Sequence, residues 1–246
     1  MERVLILGAT SAIAAEVAVL HALRGDTLYL VGRNATKLDH VAQRCGQVQV
    51  HTHVADFTDH ATSTALISHA IRTLGGVDRV LIAHGLLPDQ LQTEHDFHAA
   101  HEALNTNFLS VVSLLIPLVN HLEQAGRGRL AVITSVAGER GRPRNYTYGA
   151  AKGALNLYLQ GVRSRLYGRD IHITTLKLGP VDTPMTLSHP KNPLFGKPIT
   201  VAHDILHAMD AGAGEVYVPS FWRWIMPVVR HTPEFLFQRV KALSGR

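Results

Sequence analysis

Cysteine is almost absent from this chain of 246 residues: Cys45 stands alone. A single thiol cannot form an internal disulfide, and no His/Cys ligand pattern surrounds it, so neither a disulfide framework nor a structural metal is expected. A charged leader followed by a long apolar segment is also missing. The N-terminus enters a strand pattern directly, which predicts a cytoplasmic location. No repeat, low-complexity tract or Pro/Gly/Ser linker divides the chain. Sixteen histidines invite a metal hypothesis, most densely at His51, His53 and His60. His51 and His53 alternate along a strand, however, and no third ligand has a diagnostic spacing, so they read as surface or packing residues and no metal site is assigned.

What is present is an apolar, alternating pattern. At 46% hydrophobic, the chain is long enough for one large α/β domain with a full core. Strand-like runs at 3–8, 27–32, 47–54, 78–83, 129–135, 171–178 and 215–218 alternate with helical ones. That order implies a doubly wound parallel sheet with helices on both faces. Residues 1–220 form the expected catalytic domain and 221–246 a C-terminal tail.

The first unit runs from the apolar strand Val4–Leu7 through Gly8 to a helix over 12–23. Strand, tight turn and helix N-terminus together make a phosphate site, because free N–H groups and the helix dipole face an anion. Thr10 and Ser11 add hydroxyls. Ala12 and Ala14 stand where a glycine fingerprint has glycine, so this motif is weak by itself. The second strand pattern, Thr27–Gly32, is followed by Arg33 and Asn34. An acid at this position favours the free 2′-hydroxyl of NAD, whereas an arginine accommodates the 2′-phosphate of NADP. With Arg33 and no adjoining acid, NADP(H) is expected over NAD(H).

Further along, Tyr148 and Lys152 lie four apart in a helical pattern over 146–167 and therefore share one face. An ammonium beside a phenol stabilises the phenolate and lowers its pKa. Ser135 ends an apolar strand pattern and aims a hydroxyl at the same point. A phenol, an ammonium and a hydroxyl converging is what reduction of a carbonyl to an alcohol requires.

Taken in order, these segments resemble the short-chain dehydrogenase/reductase family over residues 3–218. The resemblance implies a Rossmann-like single domain, a nicotinamide cofactor and oxidoreductase activity on CH–OH or C=O groups. It makes Ser135, Tyr148 and Lys152 catalytic, with Asn107 (in Asn105-Thr-Asn-Phe108) holding a relay water. Tyr148 and Lys152 also touch the cofactor. Gly8, Thr10, Ser11, Ala12 and Ile13 match the glycine-rich turn; Asp56, with Phe57 beside it, matches the acid that contacts adenine. His84, in Ile82-Ala-His-Gly85, departs from the family's Asn-Asn-Ala-Gly. The run Leu178-Gly-Pro-Val-Asp-Thr183 supplies Val181 and Thr183 at the nicotinamide end or pyrophosphate.

Two regions concern the substrate. Gly179–Thr200 is a long, proline-rich loop expected to close over it. In the tail, Arg223, Arg230, Arg239, Lys241 and Arg246 face only Glu234 and are interleaved with Phe221, Trp222, Trp224, Phe235, Leu236, Phe237 and Leu243. No apolar stretch there reaches the roughly 20 residues of a spanning helix, and Pro227 and Pro233 are expected to break it into short helices. The pattern fits an interfacial element on an anionic membrane, on the inner face of the cell membrane, or a contact with a partner subunit in a homodimer or homotetramer. Nucleic acid is not an expected partner. The tail resembles that of a membrane-associated subgroup similar to the reductase subunit of decaprenylphosphoryl-ribose 2-epimerase, which implies a keto sugar on a polyprenyl phosphate. A soluble ketoreductase of a small metabolite and a non-catalytic NADP(H)-binding regulator are the alternatives.

Overall fold

Seven strands lie side by side in one parallel sheet, in the order β3-β2-β1-β4-β5-β6-β7. They are β1 (Arg3–Leu7), β2 (Thr27–Gly32), β3 (Val50–Val54), β4 (Arg79–Ile82), β5 (Arg127–Ser135), β6 (Asp170–Leu178) and β7 (Glu215–Val218). This computed structural model describes residues 1–187 and 190–240. Ser188, His189, Lys241, Leu243 and Arg246, which belong to the expected substrate loop and tail, lie outside the described residues.

The helices are α1 (Ala12–Leu23), α2 (Ala35–Arg44), α3 (Ser63–Leu74), α4 (Gln90–His95), α5 (Phe97–Leu104), α6 (Ser110–Ala125), α7 (Tyr146–Arg165), α8 (Pro198–Asp210), α9 (Trp222–His231) and α10 (Glu234–Arg239). Both faces of the sheet are covered, which is why β1 and β2 read as continuous apolar runs. Successive side chains of a strand point to opposite faces. Val4, Ile6, Leu28 and Leu30 therefore pack with Ile13 and Val17 of α1 and Val201 and Ile205 of α8. Leu5, Leu7, Tyr29 and Val31 pack with Leu66 of α3, Leu114 of α6 and Leu155 of α7. Full burial of each Leu, Ile or Val contributes roughly 1.5–3 kcal/mol, more than the helix propensities at stake. The continuous helical stretch Phe97–Ala125 is long and apolar enough to cross a membrane by length and composition, yet half of its most apolar segment is buried. Leu114, Leu115 and Leu118 in the core identify it as a central helix of the domain.

The strand order reverses between β1 and β4, opening a crevice at the carboxyl ends of these strands. In open α/β sheets this is where ligands bind.

Two expectations about the substrate region are corrected. The loop after β6 ends at Lys197 rather than Thr200, because Pro198 occupies the first turn of α8, where its fixed φ suits the helix and its missing N–H costs nothing. Pro227 does not break the tail but lies inside α9. Trp222, Met226 and Val229 recur at i, i+4 and i+7 and are buried against Val136 with Phe237 of α10, which outweighs one lost backbone hydrogen bond. Pro233 does interrupt the chain, between α9 and α10. The tail thus lies on the domain, with Trp222 inside and Trp224 70% exposed.

Candidate active site

The β1–α1 turn is set by Gly8, whose φ of +87° is open to glycine and strained for other residues. Ser11 caps α1, its Oγ accepting from Ala14 N at 3.2 Å. Thr10 and Ala12 flank that cap, and Ile13 is buried. The turn therefore presents the N-terminus of α1 to the crevice. At the end of β2, Arg33 is exposed and forms no ion pair or side-chain hydrogen bond among the described residues. Asn34 is already engaged: its Oδ1 caps α2 through Lys37 N at 2.9 Å. Asp56 accepts from Thr58 N at 2.9 Å and Thr58 Oγ1 at 2.8 Å, and these bonds hold its carboxyl below the usual range.

His84 fills the position where the family pattern has a small residue. Its ring lies 4.4 Å from that of Phe57, and its Nε2 is 2.8 Å from Ser110 Oγ. Ser110 gives its own proton to Thr106 O at 2.8 Å. The network therefore assigns the hydrogen to Nε2 of His84, with Ser110 Oγ accepting. Burial, reinforced by Lys152 and Arg33, lowers the imidazole to about 3, so it is neutral at physiological pH. The end of β4 is thus braced on α6 by a histidine.

Asn107 lies in a π-helical turn, Asn105–Leu109, between α5 and α6. Its side chain clamps the chain after β4: Nδ2 donates to Leu86 O and Ala103 O, both at 2.9 Å, and Oδ1 accepts from Leu86 N at 3.1 Å. Both amide hydrogens are spent, leaving one lone pair of Oδ1 for a water.

Ser135 ends β5 and opens a short 3₁₀ turn, Val136–Glu139, its Oγ accepting from Ala137 N at 3.1 Å. This turn sits directly on α7. A Cβ on Gly138 would fall 2.6 Å from Gly153 N, and one on Gly149 would fall 2.8 Å from Ala137 O. Backbone-to-backbone contact at these glycines brings Ser135 up to Tyr148, and the sequence pattern alone did not reveal it. A second unforeseen support is Lys177 on β6. Buried, it bonds Glu139 Oε1 at 2.7 Å and Glu215 Oε2 at 2.8 Å, tying the turn to β7. Burial pulls the Lys177 pKa down, but the two carboxylates more than offset it and the pKa is raised.

Lys152 is buried one turn after Tyr148, with Nζ 5.8 Å from the centre of the tyrosine ring and donating to Ile133 O at 3.2 Å. Burial lowers the ammonium to about 8. Burial also pushes the Tyr148 phenol up to about 12, with Ser135 acting in the opposite direction. This differs from the expectation that Lys152 depresses the tyrosine pKa. Nζ points at a strand carbonyl, and desolvation of the phenolate dominates. Val181 and Thr183 follow β6: Val181 bridges to Gly196, and Thr183 N donates to Thr186 Oγ1 at 3.3 Å.

The model of the short chain dehydrogenase family matches residues 2–193, across this whole arrangement. The chain belongs to that family. An uncharacterized oxidoreductase of Mycobacterium tuberculosis is 33% identical over 240 residues, 96% of each chain. A hydroxysteroid 11-beta-dehydrogenase 1-like protein of Xenopus tropicalis is 29% identical over 230 residues, covering 90% of this chain and 80% of that one. Among solved structures, levodione reductase aligns with a TM-score of 0.80 at 23% identity, over 88% of this chain and 95% of the other. An actinorhodin polyketide ketoreductase with NADPH aligns with a TM-score of 0.81 at 19% identity, over 89% and 96%. This short-chain dehydrogenase is accordingly an oxidoreductase acting on CH–OH or C=O groups.

Proposed function

We propose that the protein reduces a ketone to a secondary alcohol with NADPH. The observation that carries this reading is the meeting of Ser135, Tyr148 and buried Lys152 beside Gly85, at the end of β4 and the β1/β4 crevice. The residues fit a dinucleotide: Gly8 keeps the turn tight where it meets His84, the N-terminus of α1 faces the crevice, and Ala9, Ala12 and Ala14 beside it are small. Arg33 forms no ion pair among the described residues, although Asp56 lies near enough to feel its charge, and no acid adjoins it in sequence, which supports NADP(H) over NAD(H). When bound, the cofactor supplies the hydride.

The protein's own part is to orient the ketone and protonate it. Tyr148 donates a hydrogen bond to the carbonyl oxygen, and Ser135 joins it by turning its hydroxyl from Leu178 O, to which it donates at 3.3 Å, so that both stabilise the negative charge that develops there. Tyr148 keeps its proton at neutral pH, as an acid must, and transfers it to the oxygen as the alcohol forms. Lys152, with Nζ 5.8 Å from the centre of the Tyr148 ring, only partly offsets the burial of the phenolate left behind, and a water held by Asn107 returns the proton. NADPH consumption measured against a panel of ketones, including keto sugars on polyprenyl phosphate, tests the proposal. A protein that binds NADPH and reduces none of them would instead be a regulator.

A second reading concerns location. Trp224, Val228, Phe235 and Leu236 are exposed on the outer side of the tail, next to Arg223, Arg230 and Arg239. This favours docking on an anionic membrane, where each basic residue contributes about 1 kcal/mol. Sedimentation with phosphatidylglycerol vesicles at low and high salt tests it. Wild-type protein remaining in solution at both salts would rule docking out.

A further inference from the structure

Arg142 is half-buried, and part of its guanidinium is withdrawn from water without a partner. Its Nε is buried and makes no hydrogen bond. Among the described residues no carboxylate lies within ion-pair distance of it, and burial alone lowers its pKa. A desolvated cation with no counter-charge is costly unless something negative meets it.

What it faces is a cleft of ≈ 820 Å³ lined by Arg140, Arg142, Tyr146, Glu234 and Phe237 among others. Arg140 is fixed in place there. Its Nη1 donates to Arg230 O at 3.0 Å and Thr232 O at 2.9 Å, and its guanidinium stacks 4.4 Å from the centre of the Phe237 ring. Those bonds use Nη1 and leave the other donors of the fork for a ligand. Glu234, the one acid on the lining, is exposed at the rim and accepts from Gln238 Nε2 at 3.2 Å. A second acid, Glu94, lies behind the lining at the Tyr146 hydroxyl, so the positive charge of the lining itself is that of Arg140 and Arg142 against Glu234.

Its position links it to the chemistry. Arg140 and Arg142 lie in the loop that joins the Ser135 turn to α7. Tyr146 opens α7 two residues before Tyr148 but on a different side of the helix, so it is the loop that joins the cleft to the catalytic turn. We propose that Arg142, with Arg140, binds an oxyanion (phosphate or carboxylate) carried on the ketone substrate, so that the preferred substrate is an anionic ketone. This inference rests on the reductase reading above.

The test pairs substrates with a direct binding probe. A keto phosphate and a keto acid are compared with their neutral methyl esters in NADPH-dependent reduction by wild type, R142Q and R142K. The expected result is a fall of about tenfold or more in the anionic-to-neutral ratio of kcat/KM in R142Q, carried by KM. R142K should restore part of the ratio, which a merely structural role would not predict. In parallel, inorganic phosphate added to NADP⁺-saturated protein should raise Tm in wild type and fail to do so in R142Q. If R142Q does not fold, R140Q takes its place. An unchanged substrate ratio with no phosphate effect overturns the inference. If no ketone is reduced at all, the reductase reading fails, and the phosphate shift still decides whether the cleft binds an oxyanion. A response of Arg142 variants to phosphatidylglycerol vesicles, with none to phosphate or charged ketones, would assign the cleft to a lipid headgroup and overturn the substrate assignment.

Discussion

The indole of Trp222 lies against the Cα of Gly179, so closely that a Cβ at that position would overlap the ring. Gly179 follows β6 and opens the substrate loop, while Trp222 begins α9, so this contact seats the tail beside the catalytic elements. Gly179→Val should displace the indole and cost about 1–3 kcal/mol from overpacking. Trp222→Ala should cost about 3–5 kcal/mol by leaving a cavity. Urea unfolding checks both, with tryptophan fluorescence reporting the displaced ring. A Trp222→Ala protein within about 0.5 kcal/mol of wild type would show that the tail is not anchored there.

Tyr148→Phe keeps the ring and removes the transferable proton. Turnover should fall by about 10²–10⁴, the usual worth of a general acid, while the Kd for NADPH stays close to that of wild type. Steady-state kinetics with calorimetry separates the two effects. Retained turnover would mean that another group protonates the ketone.

Arg33→Ala should weaken NADPH about tenfold or more, since charge-assisted hydrogen bonds contribute roughly 1.5–3 kcal/mol. NADH should be little affected because it lacks the 2′-phosphate. Titration with both cofactors decides. A wild-type preference for NADH would leave Arg33 as an ordinary surface residue.

Lys152 links stability to pH. Its ammonium titrates at about 8 in the fold and near 10.5 unfolded. Between those values the unfolded chain binds more protons, so stability should rise as pH goes from 8 to 10.5. Below pH 8 the buried charge is a full penalty of order 3 kcal/mol. Lys152→Met should therefore be more stable than wild type at pH 7, with the difference shrinking toward pH 10.5. Tyr148 acts the other way at higher pH. Its phenol titrates at about 12 in the fold and 10 unfolded, so stability should fall between pH 10 and 12. Denaturant unfolding of the cofactor-free protein across this range checks both signs, and a pH-independent gap between Lys152→Met and wild type would contradict the first.

All seven strands and the helix Ala12–Leu23 were legible in the sequence: the inner strands β1, β2 and β4 are buried on both faces and stand out as apolar runs, while the edge strand β3, Val-His-Thr-His-Val, shows alternation instead. The spacing of Tyr148 and Lys152 was legible for the same kind of reason: four residues make about one helical turn. Loop and tail boundaries were less so. Pro198 and Pro227 read as breakers, but a first-turn position accommodates one and burial on α9 outweighs the other.

Sequence alone thus determined which chemical groups the chain carries and on which elements. Tertiary structure decided how they behave. Lys152 was expected to lower the tyrosine pKa, yet the packed surroundings raise it, because desolvation depends on neighbours distant in the chain. Gly138 reaches Gly153, Gly179 meets Trp222, and Lys177 lies between Glu139 and Glu215. None of these pairings is encoded by local periodicity. Each exists because the sheet order brings separated segments to one place, where contact geometry and burial set the chemistry.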